Sequence, residues 1–168
     1  MNRIAKQLIK KLNLEAHPEG GYFRETYRSM AEIPEPALGG AYEGYRNVST
    51  CIYFLLTSEK FSAFHRIKQD EIWHFYSGNT LRLHLISEAG VYSNQLIGSH
   101  IFEGEAPQFV VKGGDWFAAE VIQDDGYALV GCTVAPGFSF DDFELASAET
   151  LTALFPSHKE IIQQLTHH

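Results

Sequence analysis

The sequence predicts an all-β domain, a sandwich or barrel with short helices at its two ends. Three observations carry this. Short apolar runs follow one another with turn signals about every 8–12 residues, the spacing of sandwiches and barrels. Segments such as LRLHLI alternate apolar with polar side chains, the period of a half-buried strand. Aromatic residues make up 13% of the chain and there are 14 glycines, a strand-and-turn composition.

The elements follow in order. Ile4, Leu8 and Leu12, with Lys6 and Lys10 between them, predict a short amphipathic helix. HPEGGYFRETYRS (17–29) reads as a turn at Pro18 and Gly20-Gly21 leading into an alternating strand; His17 or Glu19 serves as a residue that bonds the turn. Residues 30–47 carry Pro34, Pro36, Gly39, Gly40 and Gly44 and predict a long loop, of the kind that serves as a lid, a binding loop or a mobile segment. Strands are then expected over 48–56, 61–67, 71–76, 81–86, 91–97, 107–111, from Trp116 to Val121, and over 127–134, each bounded by turn residues such as Ser77-Gly78-Asn79 and Gly113-Gly114-Asp115. APGFSFDDFE (135–144) gives another turn and short strand, with Phe138, Phe140 and Phe143 as core or dimer contacts. The tail returns to helical spacing at Leu151, Leu154 and Phe155. Pro156 breaks it, and Ser157-His158-Lys159-Glu160 has the form of a capping box opening a last helical turn. Thr166 to His168 are expected to fray.

At 168 residues the chain suits one domain, 1–168, with enough length to bury a core. The net charge of -8 and the lack of any basic cluster beyond Lys10-Lys11 argue against a nucleic-acid partner. No apolar stretch is long enough to span a membrane, and the N-terminal segment is broken by lysines rather than built as an export signal, so a cytoplasmic location is expected. Cys51 and Cys132 read as two buried thiols.

Chemistry concentrates in HRIKQDEIWHFYSG (65–78). Side chains alternate along a strand, so His65 and Ile67 share one face and Glu71, Trp73 and Phe75 another. If the two strands form a hairpin, His65 and Glu71 enter one interior, where an imidazole and a carboxyl beside aromatic walls could orient a small molecule and move a proton. His65 and Glu71 are therefore the catalytic candidates. Tyr22 and Arg24 on the HPEGG strand, Trp73, and Gln108 at a strand start are the ligand-binding candidates, Arg24 through its planar fork and Trp73 by ring stacking. A buried, merely structural His65–Glu71 pair remains the alternative.

This segment resembles the first motif of the cupin superfamily, His-x-His, a short spacer, Glu, then Gly. His65, Glu71 and Gly78 stand at the motif positions, and Ile67 replaces the second His. KGGDWF (112–117) is similar to the second motif, with Gly114 in place but Lys112 for Pro and Phe117 for His. HPEGGYFRETY, STCIYFLL, SAFHRIKQDEIWHFYSG, PQFVVKGGDWFAAE and GCTVAPGFSFDDFEL together resemble the uncharacterised cupin 5 branch. The resemblance implies a single jelly-roll (cupin) β-barrel, association as a homodimer, and a fold similar to that of sugar-nucleotide epimerases. It also implies that the metal held by His, His, Glu and His in metal-binding cupins has lost half its ligands. His74 and His84 oppose the inward parity and do not replace them. The expected function is metal-independent isomerase, epimerase or lyase chemistry on a small polar metabolite, with no cofactor. The alternatives are a non-catalytic binding protein for a sugar, nucleotide or acid, or a metal enzyme with an incomplete ligand set.

Overall fold

The computed structural model describes residues 1–167. The chain opens with helix α1 (Arg3–Leu12), capped by the Asn2 side-chain oxygen, which accepts from the N–H groups of Ile4 and Ala5. Among the described residues thirteen strands follow: β1 (Glu15–Ala16), β2 (Tyr22–Arg28), β3 (Glu32–Ile33), β4 (Arg46–Asn47), β5 (Thr50–Thr57), β6 (Ser62–Arg66), β7 (Asp70–Gly78), β8 (Leu81–Ile86), β9 (Tyr92–Ile97), β10 (Gln108–Val111), β11 (Trp116–Val121), β12 (Tyr127–Ala135) and β13 (Glu144–Leu145). Helices α2 (Ala148–Leu154) and α3 (Lys159–Gln164) close the chain. No described helix is long and apolar enough to cross a membrane.

The strands form a six-stranded sheet in the order β1-β2-β5-β12-β7-β10 and a five-stranded sheet in the order β13-β6-β11-β8-β9, with β3-β4 as a separate pair. The all-β, jelly-roll character is as expected, but neither sheet closes on itself, so the molecule is two sheets packed face to face rather than a true barrel. β6 and β7 do not form the hairpin considered above. Each sits in a different sheet, because the chain crosses the sandwich at Ile67–Gln69.

Between the sheets lies the main core, with Phe54, Leu56, Trp73, Leu81, Leu83, Phe117, Val130 and Cys132 buried together. The outer face of the larger sheet is covered by α1 through Ala5, Leu8, Ile9 and Leu12 against Leu55 and Leu129. Ile4, expected inward, is half exposed because the buried stripe is centred one position later. The smaller sheet is covered by α2 and α3, with Leu151, Ile162 and Leu165 on Phe64, Ile86 and Trp116. Ser147, rather than Ser157, caps a helix here, accepting from the Thr150 N–H; residues Pro156–His158 instead form a 3-10 turn. The last turns are not frayed: Thr166 is buried, and the His167 Nε2–H donates to the Glu19 carbonyl at 2.8 Å. His168 lies outside the described residues.

Candidate functional site

One end of the sandwich opens into a cavity of about 520 Å³. The larger sheet contributes Phe23 and Glu25 from β2, Ile52 and Phe54 from β5, Glu71 from β7 and Cys132 from β12; His65 and Ile67 come from the opposite side. His17 and Glu19 enter from the turn before β2, and the mouth is formed by residues 43–47 and by the segment from Phe138 to Phe143.

The turn fixes Glu19 in place. Gly20 has φ +113 and a Cβ there would lie 2.0 Å from the Phe61 carbonyl oxygen, so only glycine permits this approach to the β6 side. The Ala63 N–H then donates to the Glu19 carbonyl at 2.8 Å. The Glu19 side chain turns inward and is buried. Its Oε1 accepts from the Ser62 hydroxyl at 2.8 Å, and its Oε2 lies 3.0 Å from His65 Nε2 and 3.4 Å from His17 Nδ1.

Protonation follows from these partners. A carbonyl can only accept, so His65 Nδ1, 2.7 Å from the Ala63 oxygen, carries a hydrogen. A proton must also lie between His65 Nε2 and Glu19. Burial drives His65 down to about 3, while burial and the nearby Glu71 push Glu19 well above the usual carboxylate range. The proton therefore rests on Glu19, and the pair is a neutral acid donating to a neutral imidazole. His17 is driven down to about 4 by burial. Its Nδ1 accepts from the Glu19 backbone N–H at 3.3 Å, which leaves the hydrogen on Nε2. That nitrogen has no hydrogen-bond partner among the described residues.

Glu71 differs from Glu19. It lines the cavity, its oxygens make no hydrogen bond of good geometry among the described residues, and burial raises it to about 7, against the opposing effect of the nearby Cys132 and Trp73 side chains. No ion pair joins it to His65 among the described residues. The two catalytic candidates share one cavity, but the partner of His65 is Glu19.

The ligand-binding candidates fall elsewhere. Tyr22 packs towards α1, and the Arg24 guanidinium lies 5.8 Å over the Tyr53 ring on the outer face; parity gives the cavity Phe23 and Glu25 instead. Trp73 is fully buried in the core between Phe54 and Phe117 and does not line the cavity. Gln108 is exposed on the outer face, its amide donating to His74 Nδ1 at 3.1 Å. Phe138, Phe140 and Phe143 are wall residues of the mouth. The mouth is held by a buried ion pair, Arg46 to Asp142, with two hydrogen bonds of 2.7 Å; the Gln69 amide adds a third to the same carboxylate.

A metal in this cavity would need the His, His, Glu, His set. Ile67 and Phe117 stand where two of those histidines would be, and the Phe117 ring packs on His65 with centroids 4.0 Å apart. Among the described residues no group of three or more His, Cys, Asp and Glu side chains could hold a metal ion. The donor set does not fit a metal.

Comparison with known proteins gives a consistent picture. Residues 6–146 match the family described as Cupin_5: Cupin superfamily (DUF985). The chain is similar to a hypothetical protein from Leishmania major, at 36% identity and a TM-score of 0.89, covering 98% of this chain and 99% of that one. It is similar to protein SO0799 from Shewanella oneidensis, at 41% identity and a TM-score of 0.87, covering 99% and 98%. It is 34% identical over 154 residues to the uncharacterized protein YML079W of Saccharomyces cerevisiae, covering 86% of this chain and 76% of that one. Oxalate decarboxylase from Bacillus subtilis shares the fold alone, at 19% identity and a TM-score of 0.53, with 36% of its length covered.

Proposed function

We propose that this chain, which belongs to the Cupin_5 family of the cupin superfamily, acts as a metal-independent enzyme moving a proton on a small molecule held in the cavity. Isomerase, epimerase and lyase reactions share that step. The observation that carries the reading is a buried carboxyl raised to about 7 in the same cavity as a neutral imidazole N–H: Glu71 and His17.

In this reading Glu71 is the base. Its carboxylate takes a proton from a carbon next to a carbonyl, and the bonding pair moves onto the carbonyl oxygen. His17 Nε2–H donates a hydrogen bond to that developing oxyanion. Glu71 then gives the proton to a neighbouring atom or to a leaving group, or, once the planar enolate has turned its other face towards Glu71, back to the same carbon. His65 has both nitrogens occupied, so its part is to hold Glu19 neutral and in register; Glu19 in turn orients His17 through its backbone N–H. Phe23, Phe54 and Phe143 supply apolar walls.

The test is solvent exchange. The protein is incubated in D2O with a mixture of small carbonyl metabolites and carbon-bound protons are followed by NMR. The expected result is deuterium incorporation in at least one compound, lost in Glu71→Gln. A compound that raises the melting temperature but never exchanges or converts would favour a second reading, ligand binding without turnover. The closed hydrogen bonding of His65 and Glu19 is compatible with that reading. A homodimer is part of the proposal, since both sheets end in edge strands that pairing could cover. Sedimentation showing only monomers would contradict it.

A further inference from the structure

Among the described residues the cavity is lined by two permanent cations, Arg28 and Arg46, and neither is free. Arg28 gives Nε and Nη2 to the two oxygens of Glu25 at 3.0 and 2.8 Å, Nη1 to Asn47 at 2.7 Å, and further contacts to the Phe138 carbonyl. Arg46 gives Nε and Nη2 to Asp142 and Nη1 to the carbonyls of Glu43 and Tyr45 at 2.9 and 2.8 Å. Both guanidinium groups are thus committed to internal acceptors. Glu43 and Asp141 line the same mouth, and Glu19 and Glu71 lie deeper. Beside these acids the cavity offers neutral donors such as His17 Nε2–H, and no uncommitted cation lines it among the described residues. The walls between are rings: His17 stands edge-on to Phe23 at 4.6 Å between centroids and stacks on Phe140 at 6.0 Å.

An anion entering this cavity would leave water, meet no uncommitted positive charge among the described residues, and approach Glu43 and Asp141 at the mouth and, above about pH 7, an ionised Glu71 deeper in. Moving a charge out of water without a partner is costly, and like charges at close range add to that cost. An uncharged ring loses little hydration and gains stacking surface.

We propose that the cavity is a site for uncharged, ring-bearing ligands and discriminates against carboxylates and phosphates of the same shape. This rests on reading the cavity as the ligand site, and it narrows the substrate to a neutral carbonyl compound.

The test uses a matched pair, benzamide and benzoate, titrated at pH 7.5 into the intact protein and into Glu71→Gln with ligand-observed NMR. Benzamide is expected to bind saturably and benzoate at least about tenfold more weakly. The preference should persist in Glu71→Gln, because the acids of the mouth and the committed arginines remain. Glu25→Gln, which takes the carboxylate partner from Arg28, should narrow the gap severalfold. Benzoate binding as tightly as benzamide would overturn the proposal, as would no saturable benzamide binding up to ~10 mM. Failure of solvent exchange with this preference intact would remove the catalytic reading alone. Exchange confined to an anionic substrate would remove this proposal alone.

Discussion

Replacing Glu71 with glutamine should make the protein more stable at high pH and leave it little changed in acid. The carboxyl is raised from 4.5 to about 7, chiefly by burial. The folded state therefore holds this proton more tightly than the unfolded chain does. Between about pH 4.5 and 7 the unfolded chain gives the proton up first, so the wild type loses stability as pH rises through that window. At ~1.4 kcal/mol for each pH step, the loss reaches up to about 3 kcal/mol. Glutamine resembles the protonated carboxyl and carries no such penalty. His17 and His65 titrate alike in both proteins and cancel in the comparison. Urea unfolding followed by tryptophan fluorescence at pH 5 and pH 8 gives the two differences. The advantage of Glu71→Gln should grow by about 2–3 kcal/mol between them, a melting shift of roughly 5–10 °C for a chain of this size. An equal effect at both pH values would mean that Glu71 is ionised at no cost.

Three further outcomes are expected. The His65 imidazole should stay neutral with hydrogen on Nδ1 from pH 5 to 8 by 15N NMR, because burial lowers it to about 3; a midpoint near 6.5 would contradict the Glu19 pairing. Gly20→Ala should cost at least about 2 kcal/mol in calorimetry, since its Cβ would collide with the Phe61 carbonyl; a cost under about 0.5 kcal/mol would show that the turn can relax. Asp142→Ala should cost about 3–5 kcal/mol by leaving Arg46 charged and unpaired in the interior, with Asp142→Asn less severe; a neutral effect would mean that the mouth is not held as described.

The strands were legible because each depends on its own alternation and flanking turns. LRLHLI occupies β8 at the expected bounds, and YALVGCTV lies within β12. Parity also keeps His74 and His84 out of the cavity, although His84 is itself buried: His74 bonds to Thr133, and His84 to Tyr92 and Glu120. What local pattern does not carry is which face of a strand turns inward. YFRETY has polar and aromatic residues on both faces, so its alternation points equally to Tyr22 and Arg24, whereas in the fold Tyr22 packs towards α1 and Phe23 and Glu25 face the cavity. The pairing of His65 was equally hidden. Glu19 lies 46 positions before it, and only the crossing of the turn under β6 brings them together. A signal did exist: HPEGG places two titratable side chains beside two glycines, and such a turn is built to carry them to a fixed place. Glu71 was found because it faces inward from a strand whose parity is unambiguous.

The proposed chemistry requires Glu71 to be a desolvated carboxyl poised to take a proton near neutrality. A 13C NMR titration of the glutamate side-chain carboxyls, with Glu71 assigned from the signal missing in Glu71→Gln, measures this directly. The expected midpoint is about 7. A midpoint near the ordinary 4.5 would contradict the claim and leave the cavity without a base.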